Sequence, residues 1–271
     1  MKPNELSKAA DLLWGCWEHG RRLASIPDDI RPRTREEGYA VQASLEGRSA
    51  SPLFGWKIAA TSAAGQVHIN VTGPLAGRLL REKAFVSGVE LPFGVNHMRV
   101  AEAEFAFRMG RDLPPRPQPY SVDEVLAAVD TLHPAIEVPD SRFDDFTTVG
   151  APQLIADNAC AHQFVLGPAA TADWRALDLV EHRAVGTVAE TDVGRPFTGR
   201  RLEREGKGAN VLGDPRVALA WLANELSGLG LTLKAGQIVT TGTCLVPLPI
   251  QPGDQITVDF GVLGGLTARL I

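Results

Sequence analysis

Val100 to Arg108 reads VAEAEFAFR, and the rest of the chain can be organised around this stretch. It alternates as a strand does, with Ala101, Ala103, Phe105 and Phe107 on one side and Glu102, Glu104 and Ala106 on the other. Carboxylates two residues apart on a strand stand roughly 6.6 Å from each other. A third acid follows in the apolar run Pro134-Ala135-Ile136-Glu137-Val138. A strand with acids on one face is ordinarily half exposed, because glutamate is rarely buried without a partner. Glu137 points the other way, since an acid inside a buried strand must be paired, hydrogen-bonded or bound to a metal. The sharper reading takes Glu102, Glu104 and Glu137 as an oxygen-ligand site for a hard divalent cation, and the remaining chain as its shell.

Composition sets the outer limits. The chain has 271 residues, 44% apolar and 22% charged, enough for a full core in one large domain or in a domain with an extension. Its formal charge of -5 argues against a nucleic-acid partner. Cys16, Cys160 and Cys244 are too far apart for a paired-cysteine zinc site or a disulfide framework, and they suit a reducing cytoplasm. The first residues, MKPNELSKAADLL, hold no apolar signal core, and the longest apolar stretch, near Val217 to Leu222, is too short for a membrane span. A soluble cytoplasmic protein is expected.

Residues 1 to about 50 read as helical. Asn4 is a candidate cap for a helix running to about Ile26, and Thr34 with Glu37 forms a capping box for a second, ending near Gly47. Leu53 to Thr61 reads as a strand with Lys57 in its middle. Lys57 is open to two readings: a snorkelling surface lysine, or a lysine facing a pocket, its pKa lowered by burial and an adjacent cation. Ser121 and Glu124 form another capping box, opening a helix through about Leu132, which Pro134 stops. Asp140, Asp144 and Asp145 suit solvated turns, with Asp140 a further candidate ligand. The pair Asp157-Asn158 either lines a cavity or forms a turn or helix cap. Further strands are expected at 163–166, 180–185, 237–241, 255–260 and 266–271. The clear helix among them has Asp214 as cap and Pro215 at its first position. Strands outnumber helices without alternating with them, which excludes the βαβ repeat of a Rossmann fold or a TIM barrel and predicts an α+β protein with a mixed-sheet core. Residues 206–213 match neither the dinucleotide nor the P-loop glycine pattern. The six histidines are scattered, with only His162, near Cys160, of interest.

Several segments together resemble a family. They are Glu102–Glu104 with its Arg111-Asp112-Leu113-Pro114 tail, Pro134–Glu137 with Asp140-Ser141-Arg142-Phe143, Ala156–Ala159, Phe164–Gly167, Leu212–Pro215 with Ala220–Leu226, and Leu233–Val239 with Thr241-Gly242-Thr243. In this order they are similar to the 2-keto-4-pentenoate hydratase branch of the fumarylacetoacetate hydrolase family. That branch includes 2-oxo-hept-3-enedioate hydratases and 4-oxalocrotonate decarboxylases. The resemblance runs from about Phe54 onward. It implies a mixed β-roll catalytic domain over residues 51–271, with Mg²⁺ or Mn²⁺ on Glu102, Glu104 and Glu137. It also implies Lys57 as the active-site lysine, Thr243 in a glycine–hydroxyl loop over the substrate acid group, and assembly as a homo-oligomer. Asp157 and Asn158 are the further substrate-binding candidates. Two departures stand out. Pro74-Leu75-Ala76-Gly77 carries leucine where such hydratases tend to have an acid in a turn, and Cys160 stands where relatives often have serine.

The activity expected from this resemblance is hydration of a 2-hydroxy-2,4-dienoate in the meta-cleavage catabolism of aromatic compounds. Decarboxylation, or C–C hydrolysis of an acylpyruvate-like acid, is the sister chemistry. A non-catalytic member of the fold is a third reading, supported by Leu75. An acid-pair glycosidase ranks low, because its two acids face each other across a cleft. Arg142, Arg195 and Arg200 are candidates for a distal carboxylate, with surface placement the default for each.

Overall fold

The computed structural model describes residues 1–191 and 198–271, so Arg195 lies outside the described residues. The elements in chain order are α1 (Pro3–His19), α2 (Arg35–Ala43), β1 (Gly55–Ala59), α3 (Ala63–His68), β2 (Leu75–Leu79), β3 (Ala84–Val86), β4 (Val89–Leu91), β5 (Val100–Met109), α4 (Val122–Leu126), β6 (Val129–Val138), α5 (Ala151–Ala156), β7 (Gln163–Leu166), β8 (Arg183–Glu190), β9 (Arg201–Lys207), α6 (Pro215–Gly228), β10 (Ile238–Thr243), β11 (Leu248–Pro249), β12 (Asp254–Asp259) and β13 (Gly265–Leu270). One sheet has the order β2-β1-β10-β5-β6-β7-β3, with β11 also on β5; the other runs β4-β13-β12-β8-β9. Both are mixed: β1 and β10, β3 and β7, and β13 and β4 pair in parallel, and the remaining pairs are antiparallel. This is the expected α+β architecture.

The apolar side of β5 is what joins the layers. Ala101, Ala103, Phe105 and Phe107 are fully buried, and Phe105 meets Phe260 edge-on with ring centroids 4.8 Å apart. Burying such a ring contributes roughly 1.5–3 kcal/mol. The other face of β5 is not a solvated edge either. β5 lies between β10 and β6, and Glu104 and Ala106 have no exposed surface. The half-exposed reading therefore fails at Glu104 and Ala106, while Glu102 on the same face is partly exposed.

Several boundaries differ from the sequence expectation. α1 begins with Pro3 after Lys2, not at Asn4, and stops at His19, because Gly20 takes the left-handed φ of 63° that ends a helix. The Thr34 cap forms by half. Thr34 accepts the Glu37 N–H, while the Glu37 carboxylate accepts from the Arg33 N–H. α4 ends at Leu126, and Pro134 lies inside β6 opposite Phe105. The Pro134 carbonyl accepts from Gly167 beyond the end of β7, so its missing N–H falls outside the β5–β6 ladder. Residues 74–77 are not a turn, since Leu75 opens β2. Among the described residues no helix is long and apolar enough to cross a membrane.

Candidate metal centre and cavity

Four adjacent strands, β1, β10, β5 and β6, bring the polar cluster together. Glu102 on β5 stands directly opposite Glu137 on β6, and Thr243 on β10 stands opposite Glu104. Like charges facing each other across a ladder repel, so the register alone calls for a positive group between them. One carboxylate oxygen from each of Glu102, Glu104 and Glu137 lies within 4.8 Å of the others. Lys57 on β1 places its Nζ 3.1 Å from Glu137 Oε1 and donates a 3.0 Å hydrogen bond to the Ala159 carbonyl.

The donor set fits a hard cation. Glu104 Oε1 and Glu137 Oε2 are buried without a hydrogen-bond partner, and Glu137 Oε1 meets only the Lys57 ammonium; such burial is costly for acids unless enough cationic charge is close. Glu104 Oε2 is held in place, accepting from the Thr240 hydroxyl and, at 2.8 Å, from the Gly242 N–H. Gly242 can aim its N–H there because β10 bulges. The register slips between Thr240 and Thr243, and Gly242 takes a φ of 90° that disfavours a side chain.

Electrostatics follow from this crowding. Burial, with the Glu137 charge next, pushes the Glu102 carboxyl up to about 7. Burial and the two neighbouring acids raise Glu104 well above the carboxylate range. For Lys57 two opposing effects meet in the metal-free chain. Burial by itself would lower its pKa, but Glu137, then Glu102 and Glu104, outweigh it and raise the ammonium above its ordinary value. Without a metal beside it, Lys57 is thus a buried cation.

Above the cluster opens a cavity of about 920 Å³, lined in part by Lys57, Glu102, Leu75, Gly242 and Thr243. Ala60, Ala159, Cys160 and Leu212 line it too, all with left-handed φ between 47° and 61°. Such conformations cost energy in residues other than glycine and concentrate at functional sites. Thr243 reaches the cavity, but its hydroxyl donates to the Leu245 carbonyl at 2.8 Å. Asp157 and Asn158 stand behind the wall. Asp157 accepts from Ser141 and from the buried Arg142 guanidinium. The Asn158 amide accepts from Arg78 N–H and donates to Arg78 O, at 2.6 and 2.8 Å. Both therefore act on the cavity through the 158–160 turn that presents the Ala159 carbonyl to Lys57. Asp140 serves Arg22 and the His97 N–H. Cys160 is a neutral thiol, pushed up to about 12 chiefly by burial, then by the Asp157 charge. Sequence reasoning does not single out Thr240 or the left-handed turn; of the latter, only Asn158 is a residue type that favours left-handed φ.

Near the wall, His162 faces the Trp17 ring, with centroids 5.8 Å apart. Burial, helped by Arg142, Lys83 and Arg22, pushes its pKa down to about 3. The unfolded chain binds this proton near pH 6.5 and the folded chain does not, so the unfolded state gains as pH falls through that window. Between pH 7 and pH 5 this linkage lowers stability by about 2 kcal/mol. His162→Gln is expected to lose about that much less over the same interval in urea unfolding. An equal acid-side loss in variant and wild type would show that His162 is not held neutral.

The mixed sheets and the carboxylate cluster together define a class: β-roll proteins with a buried acidic cluster whose donor set fits a divalent cation. The chain belongs to the fumarylacetoacetate (FAA) hydrolase C-terminal family, whose pattern matches residues 52–271. It is 32% identical over 269 residues to a 2-keto-4-pentenoate hydratase of Paraburkholderia xenovorans (strain LB400), covering 98% of this chain and 95% of that one. It is 31% identical to a 4-oxalocrotonate decarboxylase of Pseudomonas sp. (strain CF600), covering 92% and 90%. Among solved structures it is similar to the 4-oxalocrotonate decarboxylase from Pseudomonas putida G7 complexed with magnesium and adipate. The TM-score is 0.85 and the identity 27%, over 100% of this chain and 99% of that one.

Proposed function

We propose that the chain is a divalent-metal-dependent hydro-lyase that adds water to a 2-hydroxy-2,4-dienoate, with Mg²⁺ or Mn²⁺ held by Glu102, Glu104 and Glu137. The observation that carries this reading is the set of converging carboxylate oxygens, two of them buried and unpartnered, beside Lys57 on the floor of the cavity. Three carboxylates leave about half of an octahedral shell for the carboxylate and 2-oxygen of the substrate. A cation bound there supplies Lewis acidity towards a 2-oxo acid.

The chain's own groups have distinct tasks. The Lys57 ammonium balances the acids and sits where it can hold the substrate anion or pass a proton at Nζ. The Thr240 hydroxyl and Gly242 N–H fix Glu104 in one orientation. The apolar wall, with Leu75 fully buried, gives the body of the substrate a largely hydrocarbon surface. A second reading, decarboxylation, is favoured by Leu75. Removing CO₂ needs no group to activate water, and Leu75 leaves no acid at that position.

Turnover of a panel of 2-hydroxydienoates with and without Mg²⁺ tests the proposal. Metal-dependent loss of ultraviolet absorbance without CO₂ release is the expected result. CO₂ release would select the decarboxylase, and the absence of turnover on every panel member would reject both.

A further inference from the structure

We infer that the cavity selects acids whose far end is uncharged and apolar, and that it disfavours a distal carboxylate. This rests on the lyase reading above and deepens it. Beyond the carboxylate cluster the wall is built from Ile69, Leu75, Met98, Phe146, Leu154 and Leu212. Among the described lining residues the only permanent cation is Lys57, and its Nζ is anchored at the carboxylate end of the cavity by Glu137 and the Ala159 carbonyl. Two of the three arginines named as distal-carboxylate candidates are spent elsewhere. Arg142 is 1% exposed and bound to Asp157; Arg200 pairs with Asp254. Arg78, also buried, pairs with Glu46 at 2.7 Å and lies over the Trp56 ring.

Three of the polar N–H groups at the wall are used internally as well. The Gly65 N–H donates to Ser62 Oγ, the Leu212 N–H to the Thr61 carbonyl, and the Asn210 amide to the Cys244 carbonyl. His68 stands at the exposed rim, its ring 6.0 Å from that of Phe146. Charge points the same way. Three carboxylates, one ammonium and one divalent cation sum to zero, so a second carboxylate on the same ligand meets no net attraction. A carboxylate pressed against the wall would lose hydration without gaining a partner. An alkyl or aryl tail would gain with each buried methylene. At about 920 Å³ the cavity has room for one, since ligand pockets run from roughly 300 to 1,000 Å³.

Titration calorimetry of the full chain in Mg²⁺ tests this with matched, unreactive pairs: 2-oxohexanoate against 2-oxohexanedioate, and 2-oxooctanoate against 2-oxooctanedioate. Each pair differs only in a terminal methyl or carboxylate. The monoacid is expected to bind about tenfold tighter or better in each pair, and 2-oxooctanoate severalfold tighter than 2-oxohexanoate. Ala64→Arg, a cation placed on the exposed rim of the cavity, is expected to narrow the ratio. Diacids that bind wild type as tightly as their monoacids would overturn the selectivity and leave the lyase reading standing. If none of the four binds in a Mg²⁺-dependent way, both readings fall.

Discussion

Replacing Glu102 with glutamine is expected to cut Mg²⁺-dependent turnover about a thousandfold, to weaken Mg²⁺ binding, and to leave the protein folded. The magnitude follows from the chemistry. A Lewis-acid cation is worth several kcal/mol of transition-state stabilisation, and each ~1.4 kcal/mol is tenfold in rate. A neutral amide in place of one of three anionic ligands forfeits much of that. The fold survives because Glu102 is the partly exposed member of the trio, lining the cavity, while Glu104 and Glu137 are fully buried. In the metal-free protein the substitution removes an acid that burial and Glu137 already disfavour as an anion. Metal-free stability is therefore expected to be equal or higher. Steady-state kinetics, Mg²⁺ calorimetry and urea unfolding read the three effects separately. Unchanged Mg²⁺ affinity would remove Glu102 from the ligand set.

Lys57→Met has the opposite signature. Lys57 is the one ammonium against three buried or half-buried acids, and it lies 3.1 Å from Glu137. Removing one partner of a buried ion pair typically costs about 3–5 kcal/mol, because the other charge is left uncompensated. That loss is expected in full when metal is chelated. Saturating Mg²⁺ is expected to return a large part of it, since the cation neutralises the same carboxylates and binds the folded state. Turnover is expected to fall roughly 10²–10⁴-fold if the ammonium passes protons. A stability loss equal with and without Mg²⁺ would mean that lysine and cation do not share their counter-charges.

How much of this was legible in the sequence depended on where each signal resides. β5 was readable because one of its faces is strictly apolar, and α6 because Asp214 and Pro215 announce its start; Asp214 does accept the Arg216 N–H. β9 was not. Its residues RLEREGK alternate in exposure but are charged on both sides, and its backbone pairing with β8 creates the strand. The α4–β6 boundary was misplaced because Val129 and Leu132 also suit a helix, and pairing with β5 overrides that local preference.

At the centre, residue types and spacing suggested Glu102, Glu104 and Glu137 as a group, and the fold brings them within reach of one another. The charge state of Lys57 was beyond the sequence, since it depends on how close three acids on two other strands approach. Asp157 and Asn158 illustrate a related difficulty. Polar residues in a small, apolar setting signal burial, but their hydrogen bonds to Arg142 and Arg78 show whom they serve, and no spacing rule carries that.

The most direct test is anomalous diffraction from crystals of the protein grown with Mn²⁺. One strong peak bonded to an oxygen of each of Glu102, Glu104 and Glu137, with Lys57 alongside, is the expected result. A peak on other acids, such as Asp140, or these three side chains left without a shared ion at saturating Mn²⁺, would contradict it.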